Sequence, residues 1–260
     1  MADRKIYHKC DFDELLEKTK LNIERYGLQV ISIRASDYLP SFSYSVGLLQ
    51  SFQHPEIICF GLNIDLMHVL INDVAGIIKK EGKIEPGKAY SNILENFDVQ
   101  FLSVDPRNTG DYFGIALKYY KSENIPAMQL VWPDNANRFP WELNFQEGLI
   151  YKQPLLDRNV DFKFREAKNL GIFTSRQWLE LDKPILHVVH NSDGDWQFLT
   201  GDELSEEDIR LVCLDDVLQR DATLNEVFNL DYGEQAERTH LGGKWERSEA
   251  EEEGDDDEED

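Results

Sequence analysis

The chain has 260 residues, 41% hydrophobic and 30% charged, which is ordinary globular usage and excludes a wholly disordered protein. Fifty Asp and Glu stand against 27 Lys and Arg, a formal charge of -23 that repels phosphate backbones and anionic lipid, so neither direct nucleic-acid binding nor a membrane surface is expected. No apolar run approaches the roughly 18 residues of a membrane span, the first residues lack a signal-peptide core, and three widely spaced cysteines do not form a disulfide framework, so a cytoplasmic location is expected.

From Asp11 to Tyr26, Phe12, Leu15, Leu16, Thr19 and Ile23 recur at helical spacing, with Gly27 as the stop. Strands are predicted at Leu28 to Arg34 and Phe42 to Leu48, which alternate, and at Glu56 to Leu62, whose compact apolar run suits burial on both faces. Asn63 to Lys80 returns to helical spacing, with Asn63 or Asp65 as N-cap and Lys79 and Lys80 in the last turn, where the helix dipole favours cations. Further strands are expected at Val99 to Val104, Tyr112 to Tyr119 and Ala127 to Trp132. Pro184 to His190 and Asp195 to Leu199, joined by a polar turn at Asn191 to Asp195, read as a hairpin. Helices are expected at Ser205 to Leu211 and Leu214 to Arg220.

The fold class is therefore mixed α/β (α+β), with a larger N-terminal sheet-and-helix domain over 1–158 and a smaller α+β domain over 159–247. A disordered acidic tail is expected over 248–260. The last twelve residues hold ten acids and no base, and without them thirteen excess negative charges remain on the rest of the chain. That tail reads either as a solubilising segment or as a lure for a basic partner.

No HExxH, CxxC, GxGxxG or GxxxxGK[ST] pattern occurs, and His187 and His190 would point to opposite faces of a strand, so no metal site and no cofactor are expected. Pro55 holds His54 extended before Glu56, a placement that serves either acid–base chemistry or the punctuation of a buried strand. Cys59 sits among apolar residues that would raise its pKa and hide it. The segment from Val131 to Glu142 brings Trp132, Phe139 and Trp141 beside Asp134, Arg138 and Glu142, residue types that anchor interfaces and line pockets, or pin a loop to a core.

The runs SYSVGLLQSFQHPEIICFGL, LMHVLINDVAGIIKKEGKIEPGK, AMQLVWPDNANRFPWE and YKQPLL occur in an order that resembles the bacterial domain of unknown function 4262, over about Leu21 to Asp157. Ser45 stands where that pattern has Thr, and Met128 where it has Leu. The family has no agreed activity, so the resemblance implies a fold unit without a mechanism. PILHVVHNSDGDWQFLTG and the later LDDVLQRD…YGEQAERTHLGGKWER are similar to a small bacterial domain with a WQFL hairpin, of a kind found near toxin and immunity genes.

Two functions follow as expectations. In the first, the chain is not an enzyme but an acidic immunity-type protein that neutralises a basic toxin enzyme by occluding its active site. Its apolar anchors would be Trp132, Trp141 and Trp196, and its acidic contacts Asp193, Asp195, Glu206, Glu207 and Asp208. In the second, Tyr44, His54, Glu56, Trp132, Asp134 and Arg138 line a pocket of an enzyme or small-ligand domain. Sheet order, oligomeric state and the partner's identity stay open.

Overall fold

The computed structural model describes residues 9–250, which divide into two units. The first runs to Ala35 and again over Pro40–Val160, and the second takes Ser36–Leu39 and the residues from Asp161 onward. Both are mixtures of helix and mixed sheet. Among the described residues no helix is long and apolar enough to cross a membrane.

In the first unit, α1 (Lys9–Tyr26) ends at Gly27, whose φ of 89° and N–H bond to the Ile23 carbonyl stop the helix. There follow β1 (Gln29–Ile33), β2 (Phe42–Val46), α2 (Leu48–Phe52), β3 (Glu56–Phe60) and α3 (Ile64–Glu81), the last capped by the Asn63 side chain. Then come β4 (Tyr90–Leu94), β5 (Phe97–Ser103), α4 (Thr109–Tyr112), α5 (Gly114–Tyr120) and β6 (Ala127–Val131). The sheet order is β1-β2-β3-β6-β5-β4, antiparallel except for the central β3–β6 pair, where Glu56 stands opposite Ala127. Every residue of β3 and β6 is buried, as parallel strands covered on both faces require. Ile57 and Cys59 pack with Leu70, Ile71 and Val74 of α3 on one face. Ile58 and Phe60 pack with Ile23 of α1 and with Phe113 and Ala116 on the other.

The strand expected at Tyr112 to Tyr119 is instead the helical pair α4 and α5. Its aromatic residues suggest a strand, but Phe113, Ala116, Leu117 and Tyr120 lie at helical spacing and turn one face to the sheet. The strand β4 and the short α2 were not expected.

The second unit contains β7 (Gly171–Ser175), α6 (Arg176–Leu181), β8 (His187–His190), β9 (Trp196–Leu199), β10 (Ile209–Cys213), α7 (Leu214–Arg220), β11 (Glu234–Glu237) and β12 (Glu246–Glu249). Its order is β10-β7-β9-β8-β11-β12, again with one parallel pair, β7–β9. The β8–β9 hairpin forms as predicted, closed by the Asn191 N–H on the Asp195 carbonyl and by Gly194 at φ 101°. Ile172, Val188, Trp196, Phe198 and Ala236 share one buried face of the sheet, and Val217, Leu224 and Leu230 are buried as well. Tyr38 belongs to this unit: its ring meets His190 edge-on at 4.7 Å, and its hydroxyl donates to Glu166 at 2.9 Å.

Two further expectations are corrected here. The helix expected at Ser205 to Leu211 is a single 3₁₀ turn over Glu206–Asp208 followed by β10, because Ile209 to Val212 alternate across a sheet and Asp208 closes the turn on Ser205. Disorder from residue 248 does not hold for its first residues: Ser248 and Glu249 pair with β11, and the Ala250 N–H donates to the Gly233 carbonyl at 2.8 Å. The acidic run over 251–260 lies outside the described residues.

Candidate functional site

The residues of the expected pocket in the first unit are each committed to a neighbour. The Ile84 N–H can only donate, so His54 Nε2 accepts it (3.0 Å) and Nδ1 carries the proton to the Pro55 carbonyl at 2.7 Å. Glu56 is fully buried, and its carboxylate accepts from Ser45 Oγ, the Gly47 and Leu49 N–H groups and Tyr120 Oη. It thereby supplies the acceptor that the N-terminus of α2 needs. Burial, then the Glu56 charge, pushes the Tyr120 hydroxyl well above its ordinary pKa, so it stays a donor. The Tyr44 hydroxyl accepts from the Ile115 N–H, and burial pushes its pKa up to about 12.

Beyond the other end of β6, Asp134 accepts from the Ala136, Arg138 and Gln146 N–H groups and from the Arg138 guanidinium at 2.9 Å. Burial pushes that carboxyl up, but these donors outweigh it and hold it below the usual carboxylate range. Trp132 donates its indole N–H to the Phe60 carbonyl, while the Gln153 amide brackets its main chain like one more strand residue. Gly61 belongs to the same clamp, since a Cβ there would lie 2.1 Å from the Lys152 carbonyl. The β3–β6 register thus puts Glu56 and His54 at one end of the sheet and Asp134 and Arg138 past the other. These side chains do not form one pocket.

The second unit presents a different surface. Side chains alternate across a sheet, and its buried face takes Ile172, Thr174, Trp196, Phe198 and Val188. The opposite face carries Phe173, Ile209 and Leu211, which are 38%, 50% and 67% exposed. Leu211 stands directly across from Phe173, and Phe173 across from Gln197. A groove of about 470 Å³ runs beside them, lined by Phe173, Leu199, Leu204, Ile209, Gln197 and Glu206.

Acids stand at both ends of this face. Of the five in Gly201 to Asp208, Asp202 pairs with Lys183 and Asp208 with Arg176, whereas exposed Glu203, Glu206 and Glu207 have no cation partner among the described residues. The Ser205 N–H and hydroxyl, with Arg176, pull the Asp208 carboxyl down to about 2. Exposed Asp193 and Asp195 lie in the β8–β9 turn, at the opposite end of β9 from Leu199.

Of the expected tryptophan anchors, Trp132 and Trp196 are buried in their own units and cannot reach a partner's surface. Trp141 is half-buried, stacked on Phe139 at 5.0 Å and covered by the Arg158 guanidinium. Trp196 stacks on His190 at 3.9 Å, deep in the second unit. Asp193, Asp195, Glu206 and Glu207 are exposed, and Asp208 is turned inward. The sequence reasoning missed Phe173, Ile209 and Leu211. The alternation in Ile209-Arg210-Leu211-Val212 carries the signal, but the helix assigned there hides it. Among the described residues, no three His, Cys, Asp or Glu side chains converge as a metal set.

Residues 22–146 match the family model described as Domain of unknown function (DUF4262). No curated protein and no solved structure matches the chain.

Proposed function

We propose that this chain is an acidic binding protein of the immunity type, which neutralises a basic bacterial toxin enzyme by covering its active site. The observation that carries the reading is the set of exposed acids on the second unit, Asp193, Asp195, Glu203, Glu206 and Glu207, none with a cation partner among the described residues, in a chain of formal charge -23. Unpaired carboxylates at a surface cost nothing in desolvation and project a field that steers a cationic cleft into contact. An enzyme acting on phosphorylated or nucleic-acid substrates needs such a cleft, and an acidic cover competes for the same charges. The polar side chains of the first unit support this reading from the other direction, because their donors and acceptors are taken up in holding loops.

The test is affinity purification of the tagged full chain at low salt, followed by titration of the chain into the activity of the retained protein. The expected result is a stoichiometric basic enzyme whose activity falls to its floor at one equivalent and whose association slows as salt rises. Retention of no basic protein, or of one whose activity is unchanged, would overturn the proposal.

A further inference from the structure

We infer that the basic partner docks through side chains on the open face of β10, β7 and β9, with Leu211 as the central anchor, and not by adding a strand to the β10 edge. This rests on the reading of the chain as an acidic binding protein, and it names the surface and the chemistry that fits it: an apolar tip bracketed by Lys or Arg.

The first ground is the face itself. Leu211, Ile209 and Phe173 are large apolar side chains, at least a third exposed and adjacent by register, with a groove alongside. Single exposed apolar residues are ordinary, but a contiguous set with a polar surround marks an interaction surface. The surround is acidic at both ends of the strands. Glu206 and Glu207 lie in the turn that leads through Asp208 into Ile209, while Asp195 precedes Trp196 and by extension of the β7–β9 register lies level with Gly171, the partner of Cys213. An apolar centre between unpaired carboxylates is the complement of an apolar tip between cations. A second copy of this chain is the wrong occupant, since it would bring the same acids and another formal charge of -23 against the face.

The second ground is the state of the edge. β10 is a terminal strand and in principle a template for strand addition. The Leu214 N–H bonds to the Leu170 carbonyl, so the constant β10–β7 register makes Arg210 and Val212 the residues that exchange bonds with β7. The main-chain groups of Ile209, Leu211 and Cys213 therefore face outward. The Ile209 N–H is taken by the Glu206 carbonyl, its own carbonyl by the Arg210 guanidinium at 2.9 Å, and the Cys213 N–H by Asp216 at 3.1 Å. Leu211 is left as the one residue of the edge with neither group partnered internally. One residue cannot register a strand, whereas its side chain adjoins both Phe173 and Ile209 on the apolar face.

The experiment places a photo-cross-linking amino acid in the full chain at position 211 and, as a control, at Leu143, an exposed leucine of the first unit. Cross-linked products from the source cell are identified by mass, and the affinity of the partner so identified is measured for Leu211→Ser and for Glu206→Lys with Glu207→Lys. Far-ultraviolet dichroism checks that each variant is folded. The expected result is a basic protein captured from 211 and not from 143, with binding at least tenfold weaker for Leu211→Ser and with the salt dependence flattened by the charge reversal.

A basic partner retained by the chain but indifferent to Leu211→Ser, as main-chain strand addition would be, overturns this inference and leaves the function standing. Capture of a second copy, with a dimeric mass in light scattering, overturns it too, as does a partner indifferent to salt and charge reversal. Capture at 211 of a basic protein whose activity is not inhibited supports the surface and overturns the toxin reading. Capture of nothing at 211 by a chain that retains no basic protein overturns both.

Discussion

Arg238 gives the sharpest test of how the second unit is held together. Its side chain is wholly buried: Nε and Nη2 both donate to the Ile185 carbonyl, Nη1 donates to Thr223 Oγ1 at 2.7 Å, and Nη2 pairs with Asp221 at 2.5 Å. The indole of Trp245 lies 4.4 Å from the guanidinium carbon. In Arg238→Met the volume is roughly kept, so the loss is electrostatic: a buried carbonyl loses both donors and Asp221 keeps its charge without a counter-ion. Removing one partner of a buried pair costs about 3–5 kcal/mol. The Thr223 N–H and hydroxyl still hold the other Asp221 oxygen, which argues against the upper limit, and the stranded Ile185 carbonyl argues against the lower. The expected loss is about 4 kcal/mol, a fall in Tm of roughly 16–32 °C for a unit of this size. Urea unfolding with peptide-resolved hydrogen exchange reads the two units separately. The double variant Asp221→Asn, Arg238→Met should recover part of the loss, because no unpaired charge remains. A loss below about 1 kcal/mol would refute the reasoning, since that is what an exposed pair is worth.

Three other outcomes are expected. Gly61→Ala, which sets a Cβ against the Lys152 carbonyl at a φ of 72°, should lower stability by more than about 1 kcal/mol and speed amide exchange around Gln153, as read by mass spectrometry; unchanged exchange would mean that the clamp does not depend on the close approach. Cys59, buried with its thiol pushed up to about 12, should resist alkylation at pH 8 while the partly exposed Cys213 reacts, as peptide mapping would show. Asp208 titrates lower folded, at about 2, than its ordinary 3.8, so its contribution is complete at neutral pH and is lost as pH falls from about 4 through 2. Acid unfolding of Asp208→Asn should therefore begin from a lower stability and vary less across that window than the parent, and parallel curves would contradict the assignment.

Where periodicity and capping agreed, the sequence was readable: Asn63 caps α3, β3 is buried along its length, and the β8–β9 hairpin turns where its polar residues lie. Where composition opposed spacing, it misled. Tyr112 to Tyr119 has a strand's residues at a helix's spacing, and the sheet selects the helix because Phe113 and Ala116 can then pack on Phe60 and Ile58. Ser205 to Leu211 was misread in the opposite direction, since its acids suit a helix start and also a tight turn before an edge strand. The membership of Tyr38 in the second unit is a contact between distant parts of the chain, and no local pattern announces it. The motifs that resemble the family also mislead about location. Trp132 and Asp134 look like a site because aromatic and charged residues crowd together there, but with Gly61 and Gln153 they fasten the segment after β6 to the sheet.

The two sheets share a plan, six strands with a single parallel pair between antiparallel wings, and differ in what covers them. In the first, helices close both faces, so β3 and β6 are buried throughout and polar side chains among them must find partners inside. In the second, β7 and β9 alternate between buried and open positions, and the open set at the β10 end is apolar. Leaving Leu211, Ile209 and Phe173 between a third and two thirds exposed forgoes a corresponding part of the about 1.5–3 kcal/mol that full burial of each such side chain is worth. A Thr or Lys on that face would keep the strand and cost nothing in water. An apolar face left open beside solvated, unpaired carboxylates is the complement of the basic, apolar-tipped partner proposed for it.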